Sequence, residues 1–419
     1  MRLSILSIAV LSASVTAVGA TSAQSAPRQL TLVQDGRVGL GKTGGARDAA
    51  VVPNTNGRLA VAPRNGWEGS ISVYDSAGVA LPWKVQTGRN DNAEIMMVTR
   101  AGWIAGSNTL WVADRGFSQV ALVDGAGKVT KSIEYPSWIH PTWAQRREFP
   151  VFGAMEPIAV YADQTMLIMP ARERSLIGTP KYDHTVSHLL RMTWTGSIQR
   201  TIATLPLSDG YIDMRGKNGT GYTMNIPFAP RTLWGISPDG THISIATPGV
   251  STADSGTIHL VSLNDRGDTI FAKRYPYPAV RVDKAAAASF LANIRAVGTL
   301  SAEKLRDSAS KQIPEFQSLL TGLLVGADGA TWLEFRAPSD ASKETRALII
   351  DGKGELLGTV PMPDGQRTAA ATVDHLWTFE PGRLQTPTGI LRYAIRPTGA
   401  PPARTAKPST SPTPLRPPR

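Results

Sequence analysis

Residues 108–130, NTLWVADRGFSQVALVDGAGKVT, constrain this chain more than any other stretch. An apolar run of strand length ends in Ala113-Asp114, a short polar turn follows, and a second run over 120–123 ends in Asp124-Gly125-Ala126-Gly127. A third run begins at Lys128. Short β-prone runs bounded by Asp and Gly form a meander of antiparallel strands, because those residues supply the backbone angles that reverse the chain.

The unit recurs. Its leading strand is Leu59-Ala60-Val61-Ala62, Leu110-Trp111-Val112-Ala113, Met166-Leu167-Ile168-Met169, His242-Ile243-Ser244-Ile245, Thr331-Trp332-Leu333-Glu334 and Leu376-Trp377-Thr378-Phe379. The partner strands are centred on Ser72-Val73, Ala121-Leu122, Leu189-Leu190, His259-Leu260, Leu348-Ile349 and Leu391-Arg392. Most copies continue into a further strand segment, such as Val79-Ala80-Leu81, Val129-Thr130-Lys131 or Leu356-Leu357-Gly358. One meander cannot bury both faces of its own sheet, so six copies predict an all-β, six-bladed β-propeller. An open sandwich or two separate β domains is the competing arrangement. The sixth copy lacks an outer strand. The segment LTLVQDGRVG, residues 30–39, reads as an orphan strand pair near the start and is expected to supply the missing outer strand. Closing the ring in this way removes exposed sheet edges.

LWVADRGFSQVALVDGAGKV resembles the repeats of NHL propellers, and Gly235-Ile236-Ser237-Pro238-Asp239-Gly240 resembles those of TolB-like propellers. The likeness extends over most of residues 30–397 and includes secreted bacterial members. It implies architecture rather than activity, since such propellers include scaffolds, binding proteins and enzymes. NHL strands usually carry an Arg where this repeat has Gln119, which puts the usual Asp–Arg lock at Asp114 in doubt.

The remaining segments set the context. Residues 1–23 read as a signal peptide: Arg2, an apolar stretch over 3–20, then small residues suited to cleavage. A retained signal anchor is the alternative. Residues 24–397 form the propeller, with the protein expected in the periplasm or outside the cell. Residues 398–419 form a disordered, Pro-rich basic tail that cannot offset its ordering entropy. The formal charge is +11, and part of it lies in this tail. A modestly basic folded part is compatible with acidic ligands. The chain has no Cys, so it has no disulfide, lipid-modified cysteine or thiolate metal site. Residues 283–313 carry Phe290, Leu291, Ile294 and Val297 at helical spacing and predict a helical insertion between blades four and five. Its apolar stripe is expected to pack on the propeller flank.

No catalytic motif is evident. Residues 36–43, GRVGLGKT, match a phosphate-loop pattern, but Gly44-Gly45 follows instead of a helix. A glycine-rich turn is expected there. His184 and His188 share a strand face without motif support, so neither metal nor cofactor is expected. Nothing in the sequence pairs Glu94, Glu156, Asp163 or Asp213. The constellation that stands out comes from aligning the repeats. Arg64, Arg115 and Arg336 directly follow leading strands, and Arg172 and Arg383 fall one or two places later. On a propeller these loops gather on one face, where guanidinium groups suit carboxylate, sulfate or phosphate. Trp67, Phe117 and the loop over 138–143 offer stacking surfaces. The competing reading is that each Arg locks its own loop. The expected function is therefore an exported, non-enzymatic, monomeric module that binds a small molecule, glycan or protein and no nucleic acid. The alternatives are a lactonase-like hydrolase or quinoprotein dehydrogenase, and an envelope scaffold.

Overall fold

A computed structural model describes residues 27–40, 49–64, 69–83, 85–88, 93–135, 155–170, 186–206, 211–215, 221–249, 255–336, 345–381 and 387–398. The signal segment, nearly all of the tail, and residues Trp67, Arg172, His184 and Arg383 lie outside them. So does the loop over 138–143.

Each aligned pair of runs forms the middle of an antiparallel blade. The first blade holds β2 (Ala49–Pro53), β3 (Leu59–Pro63) and β5 (Ser72–Tyr74), with β4 (Gly69–Ser70) and β6 (Gln86–Thr87) paired beside it. Its fourth segment, expected at 79–81, is reduced to a bridge between Tyr74 and Ala80. The second blade is β7 (Val98–Trp103), β8 (Leu110–Asp114), β9 (Gln119–Val123) and β10 (Val129–Glu134). The third is β11 (Met155–Val160), β12 (Thr165–Pro170), β13 (Val186–Thr193) and β14 (Ile198–Pro206). A hairpin of β15 (Tyr211–Arg215) and β16 (Gly221–Asn225) precedes the fourth blade: β17 (Leu233–Ile236), β18 (His242–Pro248), β19 (Ser255–Asn264) and β20 (Thr269–Arg281). Short β21 (Phe316–Ser318) pairs with the end of β20. The fifth blade is β22 (Leu320–Val325), β23 (Thr331–Phe335), β24 (Arg346–Ile350) and β25 (Leu356–Pro361).

The sixth blade closes the ring. It runs β26 (Arg367–Ala371), β27 (His375–Glu380), β28 (Gly389–Pro397) and then β1 (Leu30–Gly39), the N-terminal strand. β1 pairs with β28 from Leu30 opposite Pro397 to Gly39 opposite Gly389. Gly36 to Gly39 are thus strand residues rather than the expected turn. The register shifts between Gln34 and Gly36, at Asp35. Arg392 donates from Nε to Asp35 Oδ1 at 2.9 Å and from Nη1 to the Ser76 carbonyl of blade 1 at 3.1 Å. Each pair of adjacent blades encloses its own apolar cluster. Between blades 1 and 2, Ile71, Val73 and Trp83 meet Val98, Trp103 and Leu110. Between blades 6 and 1, Phe379 and Ile390 meet Val51 and Val61. Clusters all round the ring, the last included, are what closure requires. Their burial supplies the main stabilisation, at roughly 25 cal/mol per Å² of apolar surface.

The turns between third and fourth strands share one device. In blade 2, Asp124 Oδ1 accepts from the backbone N–H groups of Ala126 and Lys128 at 2.9 and 3.0 Å, and Gly127 takes φ 82°. Asp75, Asn264 and Asp351 repeat these side-chain bonds in blades 1, 4 and 5, and Thr193 makes one of them in blade 3. Side-chain oxygens that copy a backbone turn explain why Asx residues recur there.

Between β20 and β21 lie helices α1 (Lys284–Asn293) and α2 (Ala302–Ser310), capped by Asp283 and Ser301. Among the described residues, their apolar side chains pack with the segment around β16 rather than in the clusters between blades. Leu305, Ala309 and Ile294 cluster with Met224 and Ile226, and Phe290 meets the edge of Phe228 at 6.4 Å. The helices and the segment around β16 therefore bury each other's apolar side chains. Arg306 ties the pair by donating to the carbonyls of Leu291 and Ile294 at the end of α1.

Candidate functional site

In antiparallel blades, first-to-second and third-to-fourth turns fall on one face, here the lower. Second-to-third loops and blade-to-blade connections fall on the other, the upper.

The lower face is tied shut. The blade 4 turn reaches across to blade 2, where its Pro238 carbonyl accepts from Trp103 N–H at 2.9 Å. Its Gly240 carbonyl accepts from the Tyr161 hydroxyl of blade 3 at 3.1 Å. Blades 2 and 4 are not neighbours, so this turn links them across blade 3, which lies between them. Beside it, buried Arg191 donates to Thr165 Oγ1 at 2.6 Å, Asp163 Oδ2 at 2.9 Å and the Asp265 carbonyl of blade 4 at 2.9 Å. Its guanidinium lies 3.5 Å over the Tyr161 ring. Burial alone would push the Asp163 carboxyl up. The bonds from Thr165 and Arg191, with the guanidinium charge, outweigh this and hold it below its ordinary range. Burial raises the Tyr161 hydroxyl well above its usual range. These groups lock blades 3 and 4 together.

The upper face presents groups to solvent. Asp114, fully buried at the end of β8, accepts from the backbone N–H groups of Met96, Met97 and Gly116 at 2.8–2.9 Å and of Phe117 at 3.4 Å. This replaces the Asp–Arg lock that Gln119 had put in doubt. The loop so fixed leaves Arg115 exposed and Phe117 49% exposed. Arg115 N–H donates to the Met97 carbonyl, and Arg336 N–H to the Leu319 carbonyl, both at 2.9 Å. The two arginines thus occupy equivalent places, and Arg336 is also exposed. Arg64 is half-buried and engaged by contacts of its own.

Between blades 5 and 6 the upper face opens into a cleft of about 590 Å³. Its wall includes Thr321, Glu334, Thr345, Met362, Gln366 and Thr368. Glu334 is half-buried, and Thr368 donates its hydroxyl to Oε1. Burial pushes the Glu334 carboxyl above its ordinary pKa, and the Thr368 bond offsets only part of that. Gly322 on β22 faces this carboxyl, where a Cβ would collide with it. The Gln366 oxygen accepts from Thr378 Oγ1 at 2.5 Å and the Tyr393 hydroxyl at 3.0 Å, which leaves its NH₂ group for the cleft. Asp364 also lines the cleft, and Arg367 lies 4.3 Å over the Phe379 ring.

The sequence had not marked this cleft, although a signal existed. Glu334 is the fourth residue of its leading run, where the other copies have Ala62, Ala113, Met169, Ile245 and Phe379. A carboxyl in an apolar place of the repeat is an exception that the fold must accommodate. The carboxylates named in advance scatter instead. Glu156 pairs with Arg100 at 3.1 Å between blades 3 and 2, Asp163 belongs to the lower-face clamp, and Glu94 is exposed before β7. Asp213 lies on β15. His188 Nδ1 lies 3.1 Å from Thr204 Oγ1. Among the described residues, no three His, Asp or Glu side chains gather as metal ligands, and no helix is long and apolar enough to cross a membrane.

No family model matches the chain, and no curated protein matches it. Among solved structures it is similar to a DUF4221 family member from Bacteroides vulgatus ATCC 8482, at 11% identity and TM-score 0.45, over 88% of this chain and 99% of that one. It is also similar to the calcium-binding protein regucalcin from Agrobacterium tumefaciens strain C58, at 10% identity and TM-score 0.35, over 88% and 96%. BamB from Moraxella catarrhalis gives 11% identity and TM-score 0.31, over 87% and 99%. Likeness at this level concerns the arrangement of strands alone.

Proposed function

We propose that this protein is an exported binding module that holds an anionic ligand or the acidic surface of a partner on its upper face. The observation that carries this reading is the Asp114 loop. A buried carboxylate spends its hydrogen-bonding capacity on backbone amides, and the result is a fixed turn with Arg115 and Phe117 turned outward. A solvated loop needs no such internal support. A rigid aromatic beside a guanidinium gives contact area and a charge-assisted hydrogen bond at low ordering cost. Arg336, equivalently placed in blade 5, adds a second positive group to the same face. Arg64, Trp67, Arg172 and Arg383 belong to the same proposal through their places in the repeat.

The test is a calorimetric titration of sulfate, phosphate and uronic acids into wild type and into the Arg115→Ala/Arg336→Ala variant. Each lost charge-assisted bond should weaken binding by about 1–3 kcal/mol. Equal binding by both proteins would remove the arginines from the site.

A further inference from the structure

We infer that the cleft between blades 5 and 6 binds a small hydroxylated amine, with its ammonium group seated against Glu334. The inference rests on the upper face being the binding face, and it concerns a different place and an opposite charge from the arginine loops.

A carboxyl inside a cleft wall has given up much of its hydration. Such a group needs a compensating partner, and a cation is the strongest. Among the described residues Glu334 has only a neutral donor, the Thr368 hydroxyl. The cation that lines the same cleft, Arg367, sits over the Phe379 ring. Burial raises the Glu334 carboxyl and the Thr368 bond opposes it only in part. The missing partner is therefore one that a ligand brings.

Shape supports the same assignment. Gly322 leaves space over the carboxyl that any larger residue would fill. The cleft is large enough for a monosaccharide-sized molecule, at about 590 Å³. Around the carboxyl, the Gln366 amide and the Thr345 hydroxyl offer neutral polar contacts suited to ligand hydroxyls, and the Thr321 hydroxyl, which donates to the Glu334 carbonyl at 3.3 Å, can still accept one. Met362 and Pro363 supply an apolar wall for ligand carbons. Asp364 at the same cleft adds to the preference for positive charge. An amino sugar or amino alcohol matches this combination, whereas a neutral sugar leaves the carboxyl without its partner.

The experiment compares amines with an N-acetylated analogue that lacks the positive charge. Glucosamine and ethanolamine, with N-acetylglucosamine as the uncharged control, are titrated calorimetrically into the full chain at neutral pH, and into Glu334→Gln and Gly322→Ala. The amines should bind, and N-acetylglucosamine should bind at least about tenfold more weakly than glucosamine. Glu334→Gln should remove that preference without lowering the melting temperature, because the amide keeps the shape and sheds the buried charge. Gly322→Ala should weaken glucosamine by obstructing the seat. Glucosamine affinity should rise as pH climbs through the Glu334 titration, since the seat must be ionised. Equal affinity for glucosamine and N-acetylglucosamine, an unchanged preference in Glu334→Gln, or no binding of either amine would each overturn the inference. Failure of sulfate, phosphate and uronic acids to bind wild type would remove the anionic reading of Arg115 and leave the amine result standing.

Discussion

The lower and upper faces of the disc are made by the ends of the same strands, yet they are closed by different means. Below, the third-to-fourth turns of blades 1, 2, 4 and 5 use one Asx device, and blade 3 uses its Thr version. The blade 4 turn and Arg191 then stitch blades 2, 3 and 4 together. Above, the described loops depart from one another. Asp114 braces one of them, Glu334 stands in a cleft beside another, and Arg115 and Phe117 face solvent. Repetition stabilises where each blade meets the same local problem. Groups that can meet a ligand lie on the upper face, both where the repeat recurs, as at Arg115 and Arg336, and where it is broken, as at Glu334, which is how function commonly sits on a rigid scaffold.

The largest break in this comparison is to remove the seam on which both faces depend. Deleting residues 24–40 takes away β1, its whole ladder with β28, and the Arg392–Asp35 contact. Blade 6 then presents a bare edge and the ring is open. The expected outcome is loss of a cooperative thermal transition by circular dichroism. Deleting residues 399–419 should leave the melting temperature unchanged. A truncated N-terminus with a normal melt would mean that the disc does not depend on closure.

Next come the clamps. Arg191 and Arg392 hold equivalent places in blades 3 and 6, opposite Leu167 and Trp377, and each reaches the second carbonyl of the next blade's turn. Their burial differs: the Arg191 side chain is 5% exposed and that of Arg392 30%. Arg191→Ala should cost about 2–4 kcal/mol, because Thr165 and the Asp265 carbonyl are left without their donor. Arg392→Ala should cost about 1–2 kcal/mol, since water replaces part of what is lost. Denaturant unfolding of both variants measures the gap, and equal costs would show that burial does not set the strength of these clamps.

The clamps also show what a sequence conceals. β8 and β9 were legible because apolar runs of blade length sit between Asp and Gly turns, and the place of β1 followed from a missing outer strand. The innermost strands were not. β2 is AAVVP, β11 contains Pro157, β17 and β22 contain Gly235 and Gly322, and β26 is RTAAA. Their burial does not alternate between two faces: β2 is buried throughout, β17 is half-buried throughout, and β22 is half-buried over most of its length. They therefore carry no alternation of apolar and polar residues. The equivalence of Arg191 and Arg392 is hidden as well, because the segments between second and third strands differ in length and only the pairing opposite Leu167 and Trp377 aligns the two. Phe290, Leu291, Ile294 and Val297 were visible as an apolar set, but α1 ends at Asn293 before the last two, and their partners Met224 and Ile226 lie about 70 residues away, where sequence spacing cannot assign them.

Glycines sharpen the lower-face argument at single-residue scale. Gly127 and Gly78 occupy the same turn position in blades 2 and 1, with φ 82° and 81°. A Cβ on Gly127 would fall 2.8 Å from Trp83 Cγ and 3.0 Å from its Cα, whereas a Cβ on Gly78 meets nothing within 4 Å. Gly78→Ala should cost about 1 kcal/mol, the strain of a left-handed residue alone. Gly127→Ala should cost about 2–3 kcal/mol, because blade 1 must also shift. Thermal denaturation of both variants tests this. Equal losses would mean that the turn's interlocking with the neighbouring blade adds nothing beyond local geometry.

On the upper face, Glu334 makes stability depend on pH. Burial raises its folded pKa above the unfolded one, so the folded state holds its proton more tightly. The stability this gives is fully present below the unfolded pKa and is lost as pH rises through the folded pKa. Difference melting curves of wild type and Glu334→Gln should therefore diverge over that window, with the variant ahead at the higher pH. A pH-independent difference would mean that the carboxyl is solvated after all.

The smallest expected effect on stability belongs to the residues most exposed to a partner. Arg115 and Phe117 contribute little to the fold, because Asp114 bonds to their loop through backbone amides that survive truncation of either side chain. Arg115→Ala and Phe117→Ala should each change stability by less than about 0.5 kcal/mol, as at ordinary surface positions. Phe117→Ala should also improve solubility, since it removes a half-exposed aromatic ring. If either change instead destabilised the protein by more than about 1 kcal/mol, its side chain would be part of the loop's own support. The contrast between a lower face that stabilises and an upper face that presents would then fail at the residue chosen to represent it.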